Sequence, residues 1–360
     1  MSRNPPANAL VVASDERAHA KAAGLVYVCD TTDGLTRCKR GKQFHYFGID
    51  GKRVTDEETL QRIRSLAIPP AYTQVWICAN PRGHLQATGR DARARKQYRY
   101  HPRWRSQRDQ GKFTRIVAFG EALPALRRRL RKDLALPGLP REKVLALVVS
   151  LLEETMIRVG NDAYARQNHS FGLTTLRSRH IAVRRDRIEF HFRGKSGQAH
   201  DIVLDDRKLV KAVRRVQELP GQRLFQYVDD EGQRQPVDSG MVNDYLREVT
   251  GGEFTAKDFR TWGGTVHAVA VLAATAFPDE GGERAVKATL AQAVKDVAAV
   301  LGNTPAVCRA SYIHPEVFTG WMDGELQRRV PEASIRHPRK LETLTLAFLR
   351  RRLRATKRSP

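Results

Sequence analysis

Cysteine is scarce in this 360-residue chain: Cys29, Cys38, Cys78 and Cys308 are its only four, irregularly spaced and without a CxxC pair. A disulfide framework is thereby excluded, structural zinc finds no signature, and a reducing cytoplasm is the expected compartment. Long apolar runs are also missing. The opening MSRNPPANALVVASDERAHAKAAG holds no signal-type apolar core, and runs such as Val144 to Leu152 are far too short to span a bilayer. Neither secretion nor membrane insertion is therefore expected. Acidic residues are the third shortage, with 39 Asp and Glu against 63 Lys and Arg, a formal net charge of +24. So basic a surface is expected to meet a large polyanion.

Motifs for several chemistries are absent too. There is no HExxH, no dense acidic cluster for paired magnesium ions and no GxSxG elbow, which sets aside metal-dependent nuclease or polymerase chemistry. Gly194-Lys195-Ser196 has the ending of a phosphate loop, but that loop needs glycine five residues before Gly194, where Glu189 stands, and the segment reads as a hairpin. Neither a metal nor a nucleotide cofactor is expected.

What the chain does have is cationic charge along most of its length, in KRGK, GRDARARKQYRYHPRWR, LRRRLRK, VRRDR and RRLRATKR, as expected of folded surfaces rather than one tail. On charge alone, basic runs that are only solvated faces remain the plainer alternative. Length and 41% apolar residues allow two or three domains with buried cores. From Leu25 to Arg90 strand and turn signals dominate (LVYVCD, TTDGLTR, FHYFGIDGKRV, QVWICANPRGHLQATG). Asp50-Gly51 predicts a hairpin turn and Asn80 to Gly83 another; a short helix over about Asp56 to Leu66 ends before Pro69-Pro70.

From about Phe113 the apolar spacing turns helical. Pro140 opens a helix carrying Val144, Val148, Leu151, Leu152 and Ile157, and RIEFHFRGKSGQAHDIVL predicts a two-stranded hairpin. Helices follow over about Asp206 to Leu219, Ser239 to Val249, Trp262 to Ala276, Ala285 to Leu301 and Arg339 to Arg352. The expected fold class is α+β: a small β-rich N-terminal domain over 13–90, a basic aromatic connector over 91–111, and a mainly α domain with a small embedded sheet over 112–355.

The connector interleaves Tyr98, Tyr100, His101 and Trp104 with Arg90, Arg93, Arg95, Lys96, Arg99, Arg103 and Arg105. Arginines pair with phosphate and aromatics pack on sugar or base edges, so Arg93, Arg95, Lys96, Tyr98, Arg99 and Tyr100 are candidate DNA contacts. Alternatively, the aromatics fill a seam and the arginines face water.

Four further residues stand in well-marked contexts: Arg158 in ETMIRVGNDAYARQNHSFGLTTLRSRHI, Lys195 in FRGKSGQ, Arg260 in KDFRTWGG and Tyr312 in LGNTPAVCRASYIHPEV. Singly, each reads as an ordinary surface charge, turn lysine or packing tyrosine. Their joint order carries the signal. It resembles the type IB topoisomerases of the compact poxvirus-like and bacterial kind, whose catalytic domain shares its fold with tyrosine recombinases. The likeness covers most of the chain: VWICANPRGHLQATGRDARARKQYRYH is similar to the end of the bacterial enzymes' N-terminal region, and KDFRTWG with NTPAVCRASY is the sharpest part.

The resemblance implies that Arg158 and Arg260 clamp the scissile phosphate, Lys195 protonates the leaving oxygen and Tyr312 is the nucleophile. It also implies a monomer that clamps duplex DNA in the bacterial nucleoid and relaxes supercoils by transient single-strand cleavage, strand rotation and religation.

The physics agrees. Two always-protonated guanidinium forks match the charge gathering on the nonbridging oxygens, without a metal. The 5′-oxygen of deoxyribose leaves poorly unless protonated, and nearby arginines would make a hairpin lysine a better acid. A 3′-phosphotyrosyl ester stores the bond energy, so resealing needs no ATP. No side chain stands out as a general base for Tyr312; water or the cationic field would serve.

One position departs from the family pattern. Nine residues before Tyr312, where the poxvirus and nuclear enzymes carry histidine, stands Asn303. Its amide is expected to donate to a nonbridging oxygen but cannot exchange a proton; the alternative is a helix cap before Thr304-Pro305. Two other readings stay open. A tyrosine recombinase would usually carry histidine three residues before the second arginine, where this chain has Lys257. A non-catalytic nucleic-acid-binding protein would explain the charge but not the order of the four segments.

Overall fold

The computed structural model describes residues 17–41, 43–92, 94–278 and 282–356. It is an α+β chain in two compact units, one ending at Lys112 and the other beginning at Phe113. The expected domain start at residue 13, and Arg93, lie outside the described residues.

The first unit holds β1 (Leu35–Arg40), β2 (Gln43–Phe47), α1 (Glu57–Ser65), β3 (Thr73–Ile77), β4 (Leu85–Arg90) and β5 (Lys96–Tyr100). The strands form one antiparallel sheet in the order β2-β1-β3-β4-β5. α1 starts where expected, because the Asp56 carboxylate accepts from the Thr59 amide at 2.8 Å. Its Ile63 then packs into a core of Leu35, Val75, Ile77 and Ala87. Both predicted turns form, with Gly51 N–H donating to Gly48 C=O and Gly83 N–H to Asn80 C=O at 3.0 Å each. LVYVCD, expected as a strand, contributes only a single bridge from Val26 to Gly83.

The supposed connector, 91–111, differs more. Lys96–Tyr100 is the edge strand β5, paired with β4 from Arg90↔Lys96 onward through a turn closed by Asp91 and Arg95. From Pro102 the chain is already helical. Charge on an edge strand hides it from periodicity, since an edge tolerates lysine and arginine facing water. Its aromatics divide: Trp104 is buried with Ala20 and Leu25, Tyr100 packs against that cluster, and Tyr98 is 46% exposed.

The unit boundary falls inside α2 (Pro102–Leu134). There follow α3 (Arg141–Thr155), α4 (Asp162–Asn168), β6 (Ile181–Val183), β7 (Ile188–Arg193), β8 (Ala199–Leu204), α5 (Arg207–Gln217), β9 (Gln226–Val228) and β10 (Arg234–Pro236). The chain continues through α6 (Ser239–Thr250), α7 (Ala256–Ala273), α8 (Gly282–Leu301), α9 (Pro305–Ser311), α10 (Pro315–Met322), α11 (Glu325–Arg329) and α12 (Pro338–Thr356). The expected two-stranded hairpin is a three-stranded antiparallel sheet, β6-β7-β8, and β9 with β10 makes a second small one. Strands of three residues are too short to show an alternating pattern.

α3 is the central helix. Val144 to Val149, Leu151 and Leu152 are all buried, on every face, as in a helix surrounded by others rather than laid on a surface. α7 begins earlier than the expected Trp262, because Asp258 reaches back to accept from the Thr255 amide at 2.8 Å and caps the helix there. Arg260 is consequently a helix residue. Among the described residues no helix is long and apolar enough to cross a membrane.

Candidate active site

Four of the five expected catalytic residues come together where helices α3, α7, α8 and α9 end or pass. α3 stops at Met156, whose left-handed backbone (φ 52°) turns the chain so that Ile157 is buried and Arg158 points back. α8 stops in a Schellman motif: Gly302 N–H donates to Ala299 C=O at 3.2 Å and Asn303 N–H to Ala298 C=O at 2.9 Å, with Gly302 at φ +57°. Thr304, not Asn303, is the N-cap of α9, with Pro305 in its first turn. The alternative reading of Asn303 as a cap is thus corrected, and its amide is left for the site.

Arg260 is 4% exposed. Its guanidinium donates to Met156 C=O, at the end of α3, and to Leu301 C=O, at the end of α8, the latter at 2.7 Å. The negative ends of two helix dipoles therefore hold the buried cation. Arg158 donates to Asn303 Oδ1, which fixes the amide with its Nδ2 pointing elsewhere. Among the described residues, Asn303 Nδ2 and Arg260 Nε are buried donors without an acceptor. Two unused donors in one site suit the oxygens of an anion.

Tyr312 ends α9 with its ring beneath Arg260, the guanidinium carbon 5.1 Å from the ring centroid. Burial alone would raise the phenol's pKa; the charges of Arg260 and Arg158, and their hydrogen bonds to the hydroxyl, more than offset this and hold it below the usual tyrosine range. Neighbouring Cys308 has only the charge of Arg260 to set against burial, which pushes its thiol up to about 11.

The tyrosine's backbone is seated by residues that sequence reasoning passed over. Gly264, one turn past Arg260 on α7, lies so close to Tyr312 C=O that an added Cβ would stand 2.8 Å from it. The Thr265 hydroxyl bonds to the same carbonyl at 3.3 Å and accepts from His314 N–H at 3.1 Å. The signal was present as the Gly263-Gly264-Thr265 run shortly after the arginine, a composition that costs helix stability and so implies a close approach.

Lys195 is not in this cluster. It sits exposed at the tip of the β7–β8 hairpin, where Ser196 and Gly197 both take positive φ. The five candidate DNA contacts among the described residues lie in the other unit. Arg95 is paired with Asp91 at 2.7 Å and Lys96 with Asp30 at 2.5 Å; Arg99 donates to Ala67 C=O at 3.0 Å. Tyr98 stacks on Tyr100, with centroids 6.0 Å apart. Among the described residues no group of three or more histidine, cysteine or carboxylate side chains is placed to hold a metal ion.

A phenol hydrogen-bonded by two fixed guanidiniums, with spare donors beside it, suits one class of chemistry, nucleophilic phosphoryl transfer onto tyrosine. Residues 101–324 match the family model of the eukaryotic DNA topoisomerase I catalytic core, and residues 43–91 that of the bacterial DNA topoisomerase IB N-terminal domain. DNA topoisomerase 1B of Acanthamoeba polyphaga mimivirus is 33% identical over 310 residues, which cover 85% of this chain and 90% of the viral one. DNA topoisomerase I of monkeypox virus and DNA topoisomerase 1B of vaccinia virus (strain Copenhagen) are each 25% identical over 297 residues, 74% of this chain and 86% of theirs. The chain belongs to the type IB DNA topoisomerase family.

Proposed function

We propose that this protein relaxes supercoiled duplex DNA by cutting one strand through Tyr312, letting it rotate and resealing it, with the fold of the type IB enzymes. The observation that carries the reading is the Tyr312 hydroxyl, hydrogen-bonded by both Arg158 and Arg260 and held below its ordinary pKa in spite of burial.

In this scheme the phenolic oxygen attacks the scissile phosphorus, its proton passing to water. Arg260 Nε and Asn303 Nδ2, the unused donors, bind nonbridging oxygens together with Arg158, and they gain strength as charge accumulates there. The bond to the 5′-oxygen breaks as Lys195 protonates it. The 3′-phosphotyrosyl ester conserves the phosphodiester, so the freed 5′-hydroxyl reverses the step without ATP.

Arg93, Arg95, Lys96, Tyr98, Arg99 and Tyr100 supply a further surface for the backbone of the same duplex, and one copy of the chain suffices for the reaction. The nucleoid is where such a substrate lies.

Relaxation of supercoiled plasmid in EDTA without ATP tests this reading. Wild type should relax both supercoil signs, and Tyr312→Phe neither. A wild-type protein inert across a range of salt, or a Tyr312→Phe variant that still relaxes plasmid, would overturn it.

A further inference from the structure

His200 has no part in the chemistry above, yet it lies where two segments of the proposed site meet. Its imidazole stacks on Phe192, its cross-strand partner, with centroids 4.9 Å apart and planes 12° from parallel. The ring also covers Gly194, where an added Cβ would stand 2.5 Å from its Nε2, and Gly302, where one would stand 2.7 Å from Cε1 and 3.4 Å from Nδ1. Gly194 immediately precedes Lys195; Gly302 immediately precedes Asn303. Gln198, from the same hairpin, approaches Gly302 as well, with its Nε2 3.6 Å from that Cβ position.

The hairpin's own hydrogen bonds, Gly194 N–H to Gln198 C=O at 2.8 Å and Gly197 N–H to Gly194 C=O at 3.0 Å, shape its tip without fastening it to the α8 turn. The imidazole, by contrast, lies against both segments. The left-handed backbone of Gly302 favours glycine in any case, but Gly194 has φ −92°, so what its missing side chain provides is room for the ring. Burial first, then the charges of Arg158 and Arg260, lower the imidazole's pKa against the opposing pull of Asp201 on its own strand, so a neutral ring fills the gap.

We propose that His200 is a positioning residue that docks the Lys195 hairpin on the turn carrying Asn303, and so brings the lysine ammonium to the leaving 5′-oxygen. The inference rests on the reading of Lys195 as the general acid. Its reach is mechanical: an acid displaced by about 1 Å loses on the order of 100-fold in rate.

Single-turnover cleavage of a duplex with an ordinary 5′-oxygen, and of one with a 5′-bridging phosphorothiolate that leaves without protonation, tests it in the full chain. Lys195→Ala is the benchmark. His200→Ala should be slowed roughly 10- to 100-fold on the ordinary duplex and return to within about threefold of wild type on the phosphorothiolate, as Lys195→Ala does. If Lys195→Ala is rescued but His200→Ala is slow on both substrates, or slow on neither, the positioning role is overturned while the acid assignment stands. If Lys195→Ala is not rescued, the acid assignment itself falls and takes this inference with it.

Gly194→Ala, which keeps the imidazole but displaces it, carries the test should His200→Ala not fold. It should show the same rescuable defect in the wild-type background and, where His200→Ala does fold, add little to it, since two changes to one contact are not additive. Additive losses would overturn the wedge.

Discussion

Around β5 the cations are matched by carboxylates, whereas around Tyr312 they are matched by neutral oxygens. Arg95 has Asp91 and Lys96 has Asp30, so their charge is largely spent before any ligand arrives. Arg158 has an amide and Arg260 has two helix-end carbonyls, which fix the guanidiniums without cancelling them. Burying a cation without a counter-charge costs several kcal/mol, offset here in part by the two helix dipoles. The site thus holds unneutralised charge at low dielectric, the condition under which a phosphate and its transition state bind best. Arg99 stands between the two cases, bonded to a carbonyl and with its buried Nε unpaired among the described residues.

Arg260→Lys should break the contrast most severely. Lysine keeps the charge but cannot span both helix ends while also reaching Tyr312, and cleavage should fall about 1,000-fold. Near wild-type rates of covalent-complex formation in this variant would show that charge alone, not the fork, is needed.

His314, two residues beyond Tyr312, sharpens the same point from the opposite side. It is 2% exposed, its Nε2 has no acceptor among the described residues, and burial lowers its pKa from 6.5 to about 4 despite Glu316. A cation that lacks the carbonyls Arg260 enjoys is thus kept neutral. Because the folded pKa is depressed, the unfolded chain binds the proton first as pH falls. Stability is therefore full above pH 6.5 and is lost between 6.5 and about 4. The loss should reach about 3 kcal/mol. His314→Asn retains an acceptor for the Glu316 amide that caps α10 and should remove this part of the acid sensitivity. Equal loss of urea resistance from pH 7 to pH 4.5 in both proteins would contradict the account.

Gly264→Ala should follow, since its Cβ meets a backbone oxygen that cannot swing aside. Tyr312 would be displaced and cleavage slowed by about 100-fold with little change in DNA binding. A binding defect of the same size would place the damage elsewhere.

The smallest effect belongs to β5. Each phosphate left without its cation should flatten the log–log salt dependence of DNA binding by roughly 0.9. Arg99→Ala should approach that figure, and Arg95→Ala and Lys96→Ala should fall well short of it, their charges being already paired. Identical slopes for all three would erase the distinction between the two regions.

That distinction was invisible in the sequence, where both stretches read alike as arginines beside tyrosines. Partners set it, and partners such as Asp30 for Lys96 lie far away along the chain. Local signals fared better. Asp56 marked a helix start, Asn80 to Gly83 a turn, and FRGKSGQ a hairpin, because each depends on neighbouring residues alone. α2 begins at Pro102 within a run whose charges mask any apolar period, and α7 begins at a capping pair, Thr255 and Asp258, lodged in front of the arginine that draws the eye. His200 could not have been singled out: on β8 it is one more inward position beside Ile202 and Leu204, and only the fold brings Gly302 against it.

On this mechanism Tyr312 becomes covalently joined to a 3′-phosphate. A duplex whose cleaved 5′-hydroxyl fragment diffuses away should trap the complex in denaturant, and proteolysis with mass spectrometry should locate the nucleotide. A 3′-phosphoryl nucleotide is expected on the peptide containing Tyr312. A 5′ linkage, attachment to another tyrosine such as Tyr98 or Tyr164, or relaxation with no adduct at all would contradict it.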